Sequence, residues 1–369
     1  MMTKKITKNK NGKIELFRFI FSMYVVLFHI EKDFAGLPKY GETVDLSFFA
    51  HGSISVEFFF LVSGFLMAKS IYKKISSAEE PYKFTANEGL AFLKSKYLAI
   101  FPQHTVAFIG TLAVYLICNK LKPLQSVLYI LDTIPSFFLV QMSGIQSKNP
   151  NHVEWYISCM LLAMAVLYPL CKKYYYNFTR YYAPILSILV IGYMMFTTGA
   201  LSGVGTWVGI CYKSFLRALV EIALGTTAFE VSRWLAEKTK TWGVKASLTV
   251  IEFGCFAITS AFVVSTLNAK YQVYILLVLF IMISIAFSDV SYGKKIFNNR
   301  FFYFLGKLSL PIYLTQLAAI YIGKTFLSDY DKIVQYSATV GLTLIFSLIV
   351  MVVGDMISKV INKKMLKKS

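Results

Sequence analysis

The chain has 369 residues, 56% of them hydrophobic and only 15% charged, with a mean hydropathy of +0.58. That balance excludes a water-soluble enzyme and places the chain in the membrane class. The formal charge of +19 does not indicate a nucleic-acid partner, because the Lys and Arg stand in short runs between apolar segments instead of on one basic face.

In chain order, apolar stretches occur near residues 14–31, 52–70, 97–118, 124–143, 153–171, 183–199, 213–231, 247–267, 273–289, 309–327 and 336–358. Each is about long enough as a helix to cross a hydrocarbon core of about 30 Å. The first carries Arg18 and no small-residue cleavage site, so it reads as a retained helix. The fourth contains Gln125, Asp132, Pro135 and Gln141 and reads as a re-entrant or interfacial piece. The remaining ten put the N-terminal run Lys4, Lys5, Lys8, Lys10, Lys13 on the same side as the C-terminal run Lys363, Lys364, Lys367, Lys368. They also place 28 of the 38 Lys and Arg on that side, as the positive-inside rule favours. The expected fold is all-α: a polytopic transmembrane helix bundle of about ten spans, one domain over residues 1–369. Its expected location is the inner (cytoplasmic) membrane, with both termini cytoplasmic. The loops are short, and no internal repeat is visible, which weakens a transporter built from duplicated halves.

Cys118, Cys159, Cys171, Cys211 and Cys255 fall within or beside apolar segments without CxxC spacing. They read as small buried residues, and no metal site is expected. Gly203-Val204-Gly205 lies in an expected loop and follows no strand, so it makes no dinucleotide motif.

The informative residues are polar ones in apolar helices. Arg18 and His29 are eleven apart, which at about 100° per residue returns to within about 20° of one face while rising about 16 Å. They share a stripe at two depths, Arg18 toward the inner end and His29 toward the outer, and ionisable groups within a span indicate function by default. Glu57 and Gly64 share a face of the second span, where Gly64 permits close approach of another helix or a ligand. Glu57 could orient an imidazole such as His29, accept from a substrate hydroxyl, or pair with a Lys or Arg. Lys96 is either an anchor at the inner boundary or a phosphate contact. Trp155 and Tyr156 occupy an expected outer boundary and read first as aromatic-belt residues. Arg217 and Glu221, one turn apart, read as an intrahelical pair. His51, His104 and His152 lack matched partners at helical spacing and read as structural. Tyr313 and Gln316 are three apart, face together, and could hydrogen-bond an acceptor sugar.

The Arg-x10-His helix, followed by Gly52-x4-Glu57-Phe-Phe-Phe-Leu-Val-Ser-Gly-Phe-Leu, resembles the integral membrane acyltransferase-3 family, O-acyltransferases that modify bacterial surface polysaccharides. Phe101-Pro102, Trp155-Tyr156-Ile157-Ser158, Arg217-x3-Glu221-x3-Gly225 and Leu308-Ser309-Leu310-Pro311-Ile312-Tyr313-Leu314 resemble further family elements, so the likeness covers essentially the whole chain. Three positions depart from it. Lys96 and Ala99 stand where the family commonly has two Arg, Met160 where it often has Glu, and Gln316 where it often has His. The resemblance implies an acyltransferase moving groups other than amino-acyl groups. The acyl group, usually acetyl, comes from cytosolic acyl-CoA as co-substrate and goes to a hydroxyl of a glycan or glycolipid, with no bound cofactor. Arg18 and Lys96 would then position the donor, and His29 would act as base or nucleophile with Glu57 beside it. Trp155, Tyr313 and Gln316 would face the acceptor. The competing reading is a carrier or glycolipid flippase in which Arg18 and Glu57 line a transport path.

Overall fold

A computed structural model describes residues 11–34, 48–77, 85–238 and 241–366. The runs Lys4, Lys5, Lys8, Lys10 and Lys367, Lys368, and most of the loop between Glu31 and Phe49, lie outside the described residues. The helices are α1 (Gly12–Phe34), α2 (Ser55–Ser76), α3 (Ala86–Cys118), the short α4 (Pro123–Asp132) and α5 (Ile134–Phe137), α6 (Trp155–Lys173), the single turn α7 (Tyr175–Asn177), α8 (Ala183–Thr198), α9 (Lys213–Lys238), α10 (Trp242–Val263), α11 (Gln272–Ser288), the short α12 (Lys294–Phe297), α13 (Arg300–Phe326) and α14 (Lys332–Leu366). A π-helical stretch, Phe178–Tyr182, joins α7 to α8. The only described strands, Trp207–Val208 and Cys211–Tyr212, form a minimal antiparallel hairpin that periodicity could not reveal.

Eight of the described helical segments are long and apolar enough to cross a membrane. Two more, α1 and α9, have 23 and 26 residues, also long enough to cross, but carry more charges. In α1 these are Lys13, Glu15, Arg18, Glu31, Lys32 and Asp33. Segment 124–143 does not cross: its longest helix has ten residues, none buried, and spans only about 15 Å. Several spans run past their apolar limits. The helix expected at 97–118 begins at Ala86, that at 309–327 begins at Arg300, and that at 336–358 extends over Lys332–Leu366. Hydropathy registers the part that faces lipid, whereas the backbone ladder continues into the polar interface.

Local chemistry sets the helix ends. Asn11 Oδ1 accepts from the backbone N–H of Lys13 (3.1 Å) and Ile14 (3.3 Å) at the start of α1, and Asn299 Oδ1 accepts from Phe301 (2.9 Å) at the start of α13, both N-caps. Helix α8 stops at Gly199, whose φ of +71° suits a left-handed C-cap. The start of α1 is tied to the end of α11 by Asn11 Nδ2 donating to the Ala286 carbonyl at 2.7 Å. It is tied to α10 by Lys13 and Glu252 at 2.9 Å. The last turns of α14 lie beside the first turns of α3. Both ends of the described chain therefore lie on one face of the bundle, as an even number of crossings requires.

Helices α2 and α13 are the most enclosed of the apolar spans, and α8 the least. Phe21 of α1 stacks on Phe58 of α2 with centroids 4.5 Å apart. Helices α2 and α9 run in the same direction and touch backbone to backbone. A Cβ on Gly64 would lie 1.9 Å from the Ile222 carbonyl oxygen, and one on Gly225 would lie 2.2 Å from that of Leu61. Small residues at such contacts are what allow helices to approach closely without a solvent-driven force between them. The Gly64→Ala variant is expected to lose about 1–3 kcal/mol through overpacking. Gly192→Ala in α8, where nothing lies within 4 Å of the added methyl, should hold or gain stability. Thermal unfolding of the purified variants in detergent would check the contrast.

Candidate active site

Arg18 lies on the N-terminal half of α1, a third exposed, with Nη1 3.3 Å from Glu15 Oε2 one turn below. Glu15 itself occupies a notch at Gly306 of α13, where a Cβ would lie 1.8 Å from Glu15 Oε2. Gly306 therefore makes room for the carboxylate that steadies Arg18. Arg18 lines a cavity of about 220 Å³ between α1, α2, α3, α6 and α13, together with Lys96, Ser63, Met160, Tyr156 and Tyr313. Lys96 approaches the Phe92 ring, 5.5 Å from its centroid, and has no carboxylate partner among the described residues. The two expected cationic contacts thus share one cavity. Met160, which stands where the resemblance calls for Glu, lines it as an apolar wall.

His29 lies farther along α1, half-buried. Its Nδ1 is 2.9 Å from the Val25 carbonyl oxygen and 3.0 Å from Gln316 Oε1. The Gln316 Nε2 group donates to the Tyr313 carbonyl at 2.8 Å. A carbonyl can only accept, so this bond orients the amide and turns Oε1 toward the imidazole. Both groups facing Nδ1 are acceptors, so Nδ1 carries the proton and Nε2 presents its lone pair. Nε2 has no hydrogen-bond partner among the described residues. The exposed His152 ring stands edge-on to it, 6.1 Å between centroids. Tyr313, which lines the cavity, is one turn of α13 before Gln316, so the cavity reaches to within one turn of the residue that holds His29. At that end the Tyr156 and Tyr313 rings meet at 5.7 Å.

Other expected residues go elsewhere. Glu57 pairs not with His29 but with Arg217, Oε1 to Nη2 at 2.5 Å. Arg217 Nε is 3.6 Å from Glu221 Oε1, and the guanidinium lies 5.6 Å from the Trp155 ring centroid. All three charged groups are buried. Glu57 lies two turns before Gly64, and Arg217 about two turns before Gly225, so the glycine contact of the parallel helices brings the two charges together. The intrahelical Arg217–Glu221 pair is present, but its closer partner comes from another helix. Trp155 and Tyr156 are not belt residues: Trp155 packs on this cluster and Tyr156 on the cavity. The Tyr313 hydroxyl donates to the Val153 carbonyl, and the Gln316 side chain is occupied by His29 and Tyr313. Both are thus engaged within the protein.

His104, which the sequence marks as structural, is joined beside His152 by Glu154 and Asn151, which it did not single out. His104 Nδ1 meets Glu154 Oε1 at 3.0 Å, and its Nε2 meets the Phe137 carbonyl at 2.8 Å. Asn151 Nδ2 donates to Glu154 (2.7 Å) and to the Leu314 carbonyl (2.9 Å). Both ring nitrogens of His104 are engaged, whereas among the described residues only Nδ1 of His29 is. This buried network joins α3, α5 and α13 to the turn 151–154 and so fixes His152 beside His29. The partners of His104 lie 33 and 50 residues away, beyond the reach of helical spacing. Among the described residues no cluster suits a metal ion.

The fold and site define a multi-pass membrane protein with one tautomer-fixed imidazole beyond a doubly cationic cavity. Residues 11–352 match the acyltransferase domain family model, and the chain belongs to the acyltransferase-3 family. No curated protein and no solved structure matches it.

The buried charge cluster makes a stability prediction. Arg217→Met, which leaves two carboxylates facing each other without a cation, is expected to cost about 3–5 kcal/mol. The triple change Glu57→Gln, Glu221→Gln, Arg217→Met should recover most of that loss. Fluorescence-detected thermal unfolding would measure both.

Proposed function

We propose that this acyltransferase moves an acetyl group from cytosolic acetyl-CoA to a hydroxyl of a cell-surface polysaccharide or glycolipid, with His29 as general base. The observation that carries the reading is the pair of acceptors on Nδ1, which among the described residues leaves Nε2 free as a base. On this reading the basic face holding Arg18, Lys94 and Lys363 is cytoplasmic, as the positive-inside rule favours, and the membrane is the inner one.

Arg18 and Lys96 suit the donor's phosphates, Arg18 through its planar fork and Lys96 as a point charge. The thioester arm then extends along the cavity toward Tyr156 and Tyr313 and reaches His29 from the inner side. The acceptor approaches from the outer side, past His152. Nε2 takes the hydroxyl proton as the oxygen attacks the thioester carbonyl. The tetrahedral intermediate collapses with cleavage of the C–S bond, and the departing thiolate receives the proton back from the imidazolium. Gln316 keeps the tautomer that this transfer requires. Glu57 acts at a distance, by holding Arg217 and Trp155 within the bundle wall.

His29→Ala is expected to lower O-acetylation of the cell's glycans by about 10²- to 10⁴-fold at unchanged protein level, read by mass spectrometry of released glycans. Unchanged acetylation would refute the mechanism. In proteoliposomes, Arg18→Ala should raise the KM for acetyl-CoA while changing kcat far less.

A further inference from the structure

Helices α3 and α14 touch where a Cβ on Gly354 would lie 2.6 Å from Gln103 Cγ. On the inner side of that contact they enclose a second cleft, of about 480 Å³, lined by Lys94, Ser95, Leu98, Ser358, Ile361 and Asn362. Ala99 lines both this cleft and the Arg18–Lys96 cavity, so the two meet at this residue. No acidic side chain lines the cleft. Asp355, the nearest carboxylate along α14, is paired with Lys307. Lys94 has no carboxylate partner among the described residues, and Lys359 and Lys363 add charge on the same end of α14. Pro102 contributes as well: having no N–H, it leaves the Leu98 carbonyl without its helical partner.

The chemistry of the lining is specific. Ser95 Oγ already donates to the Phe92 carbonyl (2.7 Å) and Ser358 Oγ to that of Gly354 (2.9 Å), so both hydroxyls offer only lone pairs. Lys94 and Asn362 are the donors, and Leu98 and Ile361 the apolar surface. A phosphate ester needs the donors, a nucleoside's amino and hydroxyl groups need the acceptors, and a purine face needs the apolar wall.

We propose that the α3–α14 cleft is a subsite for the phosphorylated nucleotide end of the acyl donor, with Lys94 on its phosphates and the arm passing Ala99 into the Arg18–Lys96 cavity. The assignment rests on the acyl-CoA reading above. It makes the donor site bipartite: one cleft recognises the nucleotide, the other carries the thioester. A lipid headgroup offers the same phosphate chemistry, and the experiment separates the two sources.

The full-length protein is reconstituted in nanodiscs of phosphatidylcholine alone and assayed with acetyl-CoA and with S-acetylpantetheine, which lacks the nucleotide. Lys94→Gln is expected to raise the KM for acetyl-CoA about 10- to 100-fold, the loss of one charge-assisted hydrogen bond, and to leave the KM for S-acetylpantetheine where it was. Lys94→Arg should restore most of the acetyl-CoA affinity. Ala99→Phe, which fills the junction, should raise the acetyl-CoA KM as well. An equal loss with both donors, no effect of Ala99→Phe, or a Lys94→Gln effect seen only when phosphatidylglycerol is added would overturn the assignment, the last by identifying a lipid site. Transfer by the wild type from neither donor would overturn the acyl-CoA reading itself, and the cleft assignment with it.

Discussion

An ionised side chain inside a bilayer has to find its partner within the protein, because the hydrocarbon supplies none. That constraint organises this molecule. Its two most charged long helices, α1 and α9, are packed among others instead of facing lipid. Lys13 is buried against Glu252, and Arg217 between Glu57 and Glu221. These pairs bring α1 against α10 and α9 against α2. The peripheral helices, such as α8, carry almost no charge and need no such match.

Arg18 and Lys96 differ from those structural charges. Arg18 remains a third exposed, with a carboxylate one turn away on its own helix, and Lys96 lies by an aromatic ring with no carboxylate partner among the described residues. Both line the same cavity. A buried ion pair lacking one member is costly, whereas a cation at the edge of a wet cavity keeps its charge available for a ligand. The charges locked in pairs hold the bundle, whereas Arg18 and Lys96 meet at one cavity.

His29 and His104 make the parallel case for imidazoles. Each is an imidazole in a spanning helix with two or more partners. His104 uses both nitrogens, on Glu154 and on the Phe137 carbonyl, and works as a strut for the turn 151–154. Among the described residues, His29 uses Nδ1 alone. Gln316 in place of a second histidine keeps this arrangement insensitive to protonation, because an amide oriented by the Tyr313 carbonyl has one face to offer.

The sequence by itself determined the helical bundle, the failure of 124–143 to cross, the common stripe of Arg18 and His29, and the close approach at Gly64. Each follows from hydropathy, length or the period of a single helix, and these are local quantities. It did not determine that Glu57 would meet Arg217, 160 residues away, that Trp155 and Tyr156 would turn inward, or that Gln316 would face His29. Lipid tails are as apolar as leucine, so an apolar or aromatic face looks the same whether it meets the bilayer or another helix. Only the packing of the helices decides which face is interior, and with it which polar groups become neighbours.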